Sequence, residues 1–355
     1  MAVNAFWRGR RVLVTGHTGF KGAWLSLWLT RLGASVHGVA LPAPTQPSLF
    51  GLLGLESQMT SMIGDIRLPE TLRDVMVRIQ PEAVFHLAAQ PIVRQSYKDP
   101  VETYHTNVLG TIHLLEAVRS TPSVRAVVNV TTDKCYENRE LDRGYTEDDP
   151  LGGHDPYSSS KACAEIVSAA WRRSFLTTRA DAMVRLATAR AGNVIGGGDW
   201  AVDRLIPDIV RSISRSEPVL IRNPGSTRPW QHVLEPLSGY LLLAQRLLQG
   251  DDGAATAWNF GPEPVDVRPV SWVLECWRAC WGDGFRWTLD VGARPYEARL
   301  LQLDIRRARE RLGWVPRWPL EVGLQRTVDW YRAWMRGDDV RATTIAQIDE
   351  FSACR

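Results

Sequence analysis

Tyr157 and Lys161, four residues apart in Tyr157-Ser158-Ser159-Ser160-Lys161, have the residue types and spacing for proton transfer. On a helix this spacing puts both side chains on one face. An ammonium beside a phenol favours the phenolate and lowers the tyrosine pKa from its ordinary value of about 10. Tyr157 is then a base for a hydroxyl proton near neutral pH. A second cluster lies at Thr132-Asp133-Lys134. There Thr132 can hold a hydroxyl, Asp133 can act as a general acid and Lys134 as a general base. A plain polar exit from a strand would leave the same three residues without chemistry.

These residues need a scaffold, and the N-terminus supplies its first part. The apolar run Arg11–Thr15 reads as a buried strand. It is followed by Gly16-His17-Thr18-Gly19-Phe20-Lys21-Gly22 and then by a helix from about Lys21 to Leu32. Glycines three apart between a strand and a helix allow a tight turn, and they let the backbone approach a pyrophosphate resting on the helix N-terminus. Dinucleotide binding is the expectation. The acid that normally follows about 20 residues later to hold a ribose is missing: Pro42 stands near its place, and no Asp or Glu precedes Glu56. No Arg or Lys lies between Arg31 and Arg67 to meet a 2′-phosphate, so NAD is favoured over NADP. Asp65, followed by Ile66, is a candidate contact for the adenine edge, with a strand-end cap as the alternative.

Short apolar runs and amphipathic stretches alternate through the first half. Strands are expected at Ser35–Ala40, Ser61–Ile63, Ala83–Leu87 and Ala126–Val130. Helices are expected at Leu68–Ile79, Val101–Arg119 and Asp155–Phe175. Such alternation predicts an α/β fold, a doubly wound parallel Rossmann sheet. Thr131–Lys134 would then leave the C-terminal end of the fifth strand, where these sheets place their chemistry. After Ala189 the periodicity weakens. The expected division is a nucleotide-binding core over 1–192 with a return segment near 230–262. A smaller, mostly helical substrate lobe would comprise 193–229 and 263–335, and 336–355 would be a C-terminal tail.

Composition narrows the function classes. Hydrophobic residues make up 45% and charged residues 23%, enough for a large core and against disorder. A net charge of +3 argues against a nucleic-acid or membrane-surface partner. The five cysteines show no Cys-x-x-Cys pair and lack nearby histidines, so no metal site is expected. Their odd, scattered placement, the absence of a leader-like N-terminus and the absence of a long apolar run point to the cytoplasm.

Taken together, TGHTGFKG, GDI, FHLAAQPIVRQSY, NVLGT, TTDKCYEN, YSSSK, RAGNVIGGGDW and IRNPGSTRPWQHVLEPLSGY resemble the extended short-chain dehydrogenase/reductase family, also described as NAD-dependent epimerases and dehydratases. Within it the chain is similar to the 4,6-dehydratase branch, with Lys134 where that branch has Glu. The Thr-Asp-Lys-Cys-Tyr run, Gln90-Pro91 and Arg228–His232 resemble the enzymes acting on CDP-glucose. The resemblance implies NAD held by the Gly16–Gly22 loop, Asp65, Ile66, Leu87, Ala88, Ala89, Thr106, Thr131, Tyr157 and Lys161. It implies a nucleotide sugar held by Gln90, Arg94, Asn193, Arg204, Arg228 and His232. Tyr157 would take the C4 hydroxyl proton as hydride leaves, and Asp133 would protonate the departing C6 hydroxyl. Lys134 would act at C5, as a base if neutral or as an enolate stabiliser if charged. A homodimer built on the Val101–Arg119 and Asp155–Phe175 helices is implied as well. The competing readings are a sugar-nucleotide 4-epimerase, which needs no acid for a leaving hydroxyl, and a non-catalytic dinucleotide sensor, which needs neither Tyr157 nor Lys161.

Overall fold

In the computed structural model, which describes residues 3–176, 183–282, 284–290, 292 and 299–354, seven strands pair into one sheet. We number them β1 (Arg11–Thr15), β2 (Ser35–Ala40), β3 (Thr60–Ile63), β4 (Ala83–His86), β5 (Ala126–Val130), β6 (Arg185–Ala191) and β7 (Ala257–Phe260). Their order is β7-β6-β5-β4-β1-β2-β3, and every pairing is parallel. The chain therefore runs outward from β1 in both directions. β4 and β5 are buried at every residue, as expected for central strands covered on both faces.

Helices α1 (Phe20–Arg31), α2 (Pro69–Ile79), α3 (Gly110–Arg119), α4 (Pro156–Trp171), α5 (Leu205–Ser214) and α6 (Leu234–Leu248) follow in chain order. One layer, drawn from α2, α3 and the inner residues of the sheet, packs Leu72, Met76, Leu114 and Val118 against Leu13, Val84 and Val127. The opposite layer is larger and rich in tryptophan. It joins Trp24 and Leu27 of α1 to Tyr240 and Leu243 of α6, and to Trp277, Trp330 and Phe351 farther along the chain.

Several sequence expectations change in detail. The long helix expected at Val101–Arg119 is one rod with a π-helical turn at His105–Leu109 between Pro100–Tyr104 and α3. That turn carries Thr106 and Asn107. Asn107 Oδ1 accepts from the Gln90 amide at 2.9 Å, and its Nδ2 donates to the Gln90 carbonyl at 3.1 Å and to Ser160 Oγ at 2.9 Å. Wide turns of this kind often mark functional sites. The helix expected through Phe175 ends its regular part at Trp171 and continues as a second π turn. The expected C-terminal tail is instead a packed helix over Val340–Ala353, capped by Asp339 and burying Ile348 and Phe351 against Trp28 and Trp318. Its apolar positions do not make a one-sided stripe, so the sequence reading passed over it. No described helix is long and apolar enough to cross a membrane.

Candidate active site

The C-terminal ends of β1, β4, β5 and β6 open into a cavity of about 790 Å³. Three glycines shape its N-terminal wall, each for a different reason. Gly16 has φ +76°, and a side chain there would strike the Ala88 backbone at 2.7 Å. Gly22 lies against the Gly16 carbonyl, where a Cβ would sit 2.1 Å from the oxygen. At Gly19 a Cβ would meet only the Gly16 carbonyl, at 3.4 Å, and the residue lines the cavity. Gly19 is also the N-cap of α1. No side chain caps that helix and no acid sits in its first turn, so its amides and positive dipole end remain for an anion. An open cradle, an uncapped helix N-terminus and a cavity running on to Tyr157 fit a dinucleotide.

Residue by residue, the expected cofactor shell is largely gathered there. Thr18, Phe20, Lys21, Asp65, Ile66, Leu87, Ala88, Ala89, Thr106 and Thr131 line the cavity together with the three glycines. His17 does not. Its ring is buried away from the cavity, Nε2 within 2.7 Å of Ser61 Oγ, in the space that a side chain on Gly38 would occupy. Burial lowers its pKa to about 4, so the neutral ring packs as a core group. Asp65 reaches the cavity wall, but its oxygens are held by Arg67 at 2.6 to 3.0 Å, which favours the strand-end cap.

At the far end, β5 and α4 position the candidate catalytic groups. Asp155 caps α4 by accepting from the Ser158 amide at 2.9 Å, and Pro156 takes the first turn, where its missing N–H costs nothing. Tyr157 and Lys161 then face the cavity from one side of α4. Lys161 Nζ donates to the Val130 carbonyl at 3.2 Å. Beyond Val130, Thr132 opens a tight turn over Asp133–Cys135 and accepts from the Lys134 amide at 3.3 Å. Thr132 Oγ1 donates to Asp133 Oδ1 at 3.0 Å, whereas the buried Oδ2 of Asp133 has no partner.

Burial dominates the electrostatics. It raises the Asp133 pKa above the ordinary carboxylate value, against the pull of Lys134, the Thr132 hydrogen bond, Arg228 and Lys21. A carboxyl held toward its acid form with one oxygen unclaimed is poised to donate a proton. Burial lowers Lys161 to about 8, with Glu165 pushing back. Tyr157 corrects the sequence expectation: burial raises its pKa to about 12, and the interaction that offsets this comes first from Thr132 and not from Lys161. In this arrangement the Lys161 ammonium is spent on a backbone carbonyl.

Of the expected substrate contacts, Arg94, Asn193, Arg204 and Arg228 line the cavity. Arg94 pairs with Asp203 and Arg204 with Asp199, each at 3.0 Å. Two others do not line it. Gln90 turns its amide to Thr103 Oγ1 and the Ile92 amide, so it shapes the loop after β4. His232 is buried against Trp24 and Trp318, and burial lowers its pKa to about 3. A ring enclosed by indoles cannot meet a solvated sugar nucleotide.

Reasoning from sequence missed the groups behind the site. Glu165, one turn after Lys161, accepts from Thr131 Oγ1 at 2.5 Å and Thr188 Oγ1 at 2.7 Å, and pairs with Arg190 at 2.8 Å. Arg190 continues to the Tyr136 hydroxyl at 2.8 Å. The i, i+4 spacing of Lys161 and Glu165 was a usable signal. That Arg190 is its partner was not, because β6 meets α4 only in three dimensions.

Comparison with known proteins agrees with this architecture. The description of the NAD dependent epimerase/dehydratase family matches residues 12–261. The chain is 54% identical over 348 residues to the CDP-glucose 4,6-dehydratase of Salmonella typhimurium, covering 98% of this chain and 97% of that one. It is 30% identical to the dTDP-glucose 4,6-dehydratase of Mycolicibacterium smegmatis, covering 91% and 93% of the two chains. Among solved structures, a dTDP-glucose 4,6-dehydratase from Bacillus anthracis in complex with NAD superposes with a TM-score of 0.76 at 23% identity, over 94% of this chain and 100% of that one; at that identity the likeness shows the fold. With this sheet, this glycine loop and a family match across most of its length, the chain belongs to the NAD dependent epimerase/dehydratase family.

Proposed function

We propose that this chain is a lyase that converts CDP-glucose into its 4-keto-6-deoxy form with NAD as resident cofactor. The observation that carries the reading is Asp133, a buried carboxyl held toward its acid form within the same cavity as Tyr157 and Lys161. A 4-epimerase has no leaving hydroxyl to protonate, and a sensor has no use for the acid. The 54% identity to a CDP-glucose 4,6-dehydratase supports the choice of substrate.

The Gly16–Gly22 loop would hold NAD, which would supply the hydride acceptor for oxidation at C4 and the hydride donor for reduction at C6. The Tyr157 phenolate, which the positive charge of bound NAD⁺ would favour against its burial, takes the C4 hydroxyl proton while Thr132 orients the hydroxyl. The ketone formed at C4 acidifies the C5 proton, and Lys134 removes it or steadies the enolate. Asp133 gives its proton to the C6 hydroxyl, which departs as water. As hydride reaches C6, the proton taken from C5 returns to C5; the one proton then gained by Tyr157 equals the one lost by Asp133, so exchange with solvent resets both. Arg204 and Arg228 hold the diphosphate, for which a planar guanidinium fork is suited.

The test is incubation with NAD⁺ and, separately, the CDP-, dTDP-, UDP- and GDP-linked glucoses. A 4-keto-6-deoxy product is expected from CDP-glucose in preference to the others. A 4-epimer, or no conversion of any of them, would overturn the reading.

The same reading includes a homodimer. Val101 is 76% exposed and Ile166 57%, and Tyr104 and Leu109 share the outer surface of these two helical segments. Large apolar side chains concentrated on adjoining helices suit a two-fold interface. Light scattering at micromolar concentration should give a mass of at least twice 39.8 kDa. Ile166→Glu, which places a charge on that surface, should shift the population toward monomer. A monomeric wild-type mass would contradict the proposal.

A further inference from the structure

Two stretches of the cavity wall are joined by a single ion pair. One is the loop after β4, 87–98, whose helical turn Val93–Lys98 carries Arg94. The other is the stretch 198–204, which ends in Arg204 at the N-cap of α5. The Arg94 guanidinium donates to Asp203 Oδ1 at 3.0 Å, joining residues 109 apart in sequence. Among the described residues no other hydrogen bond or ion pair connects the two stretches. Both side chains line the cavity and are partly exposed, 39% and 33%, so the pair lies at its mouth. The proposed chemistry gives neither of them a task.

The stretch 198–204 has a fixed base and an exposed tip. Asp199 Oδ1 accepts from the Ala201 amide at 3.1 Å, and its Oδ2 accepts from Arg204 at 3.0 Å. The Tyr331 hydroxyl donates to the Asp199 carbonyl at 2.6 Å, and Arg211 donates to the Trp200 and Ala201 carbonyls at 2.9 and 3.2 Å. The Trp200 ring packs on Trp334 with centroids 4.5 Å apart. Residues 199–201 are thus held from beneath. Val202 and Asp203 form the tip. Val202 is 62% exposed, and Asp203 has φ +62°, in the left-handed region that glycine, asparagine and aspartate take most readily. A rigid base whose tip is fastened to the opposite wall by one ion pair is built as a catch. A partly exposed pair of this kind contributes little and is weakened by salt, so it opens and reforms easily.

We propose that the Arg94–Asp203 pair is a latch across the mouth of the cavity that sets how fast the sugar nucleotide enters and leaves. The inference rests on the nucleotide-sugar reading of the site, and the pair takes no part in making or breaking bonds. The latch must open before entry and before release. It therefore adds the same increment to both barriers and leaves the affinity nearly unchanged. Opening steps of this kind set the turnover of many enzymes. A weak latch suits a reaction that passes through a ketone before elimination: it slows escape of the intermediate without trapping the product.

Association and dissociation rates of CDP with the full chain, read from the phosphorus NMR line shapes of the nucleotide, test the role. Arg94→Met removes the charge and keeps most of the length. Asp203→Asn keeps the shape, and asparagine tolerates the left-handed backbone. Each should raise both rates by about two- to fivefold, the range of a partly exposed ion pair, with Kd changed by less. The double variant should be no faster than either single one, because both delete the same pair. Raising the salt from about 0.01 M to about 1 M, which shortens screening from about 30 Å to about 3 Å, should bring the wild type toward the variants. Unchanged rates overturn the proposal, as do additive effects. So does faster release confined to Arg94→Met, which would make Arg94 a direct contact of the nucleotide. A wild-type chain that does not bind CDP sinks the nucleotide-sugar reading as well, whereas unchanged rates with measurable binding sink only the latch.

Discussion

Asp133→Asn should convert the protein from a catalyst of elimination into one that stops after oxidation. The substitution keeps the shape of the side chain and removes the proton it would transfer to the C6 hydroxyl. General acid catalysis is typically worth about a hundred- to ten-thousandfold in rate, so formation of the 4-keto-6-deoxy product should fall by that range. The C4 step is assigned to Tyr157, which reaches the cavity from α4 and not from the turn that carries Asp133. Mixing the variant with NAD⁺ and CDP-glucose should therefore still produce NADH absorbance, and the signal should persist. Tyr157→Phe should show the opposite signature, with no NADH at any time. Two further outcomes would refute the division of labour. If Asp133→Asn turns over at the wild-type rate, the acid lies elsewhere. If it forms no NADH, Asp133 serves binding or oxidation.

The second large effect is on stability. Glu165 and Arg190 form an ion pair with both side chains almost wholly inaccessible, 3% and 4% exposed. Burial alone would raise the Glu165 pKa. The charge and hydrogen bond of Arg190, with the hydrogen bonds from Thr131 and Thr188, outweigh it and hold the carboxylate below its ordinary value of 4.5. Glu165→Ala leaves the Arg190 guanidinium buried without its counter-ion, a loss of about 3–5 kcal/mol when one partner of a buried pair is removed. The solvent-exposed pair of Arg31 and Asp349 provides the control. Asp349→Asn should cost only about 0–1 kcal/mol. Urea unfolding of the three proteins measures both effects, and equal midpoints for Glu165→Ala and wild type would refute the argument. The pH dependence has a definite sign. A depressed carboxylate contributes its stability above the unfolded pKa and loses it as the pH falls through the folded one. The gap between wild type and Glu165→Ala should thus be full near neutrality and narrow below about pH 4.5. The same pair joins Thr131 to the Tyr136 hydroxyl across the base of the site, so its loss should loosen the turn that holds Asp133.

Much of this site can be read along the chain because its parts are local. Gly16, Gly19 and Gly22 act within one turn, Tyr157 and Lys161 within one turn of helix, and Thr132 to Lys134 within three consecutive residues. Backbone geometry and periodicity are properties of neighbours in sequence, so strand, loop and helix could be expected from residue types alone. Even the late strand Ala257–Phe260 falls within the return segment expected near 230–262. The family resemblance added roles, but those roles fall on the same short motifs.

Tertiary structure decided what depends on burial and on partners far apart in sequence. Gln90 and His232 sit within motifs that resemble substrate contacts, yet one braces a loop and the other is enclosed by Trp24 and Trp318. His17 lies in the middle of the glycine loop and still faces the core, because the absent side chain of Gly38 makes room there. The phenol of Tyr157, expected to be acidified by Lys161, is raised instead. The spacing of four residues sets which face a side chain takes. It does not set how much water is excluded around it or which carbonyl its neighbour finds first. Charge in a protein is governed by those two quantities, and both come into being only when β5, β6 and α4 close on one another.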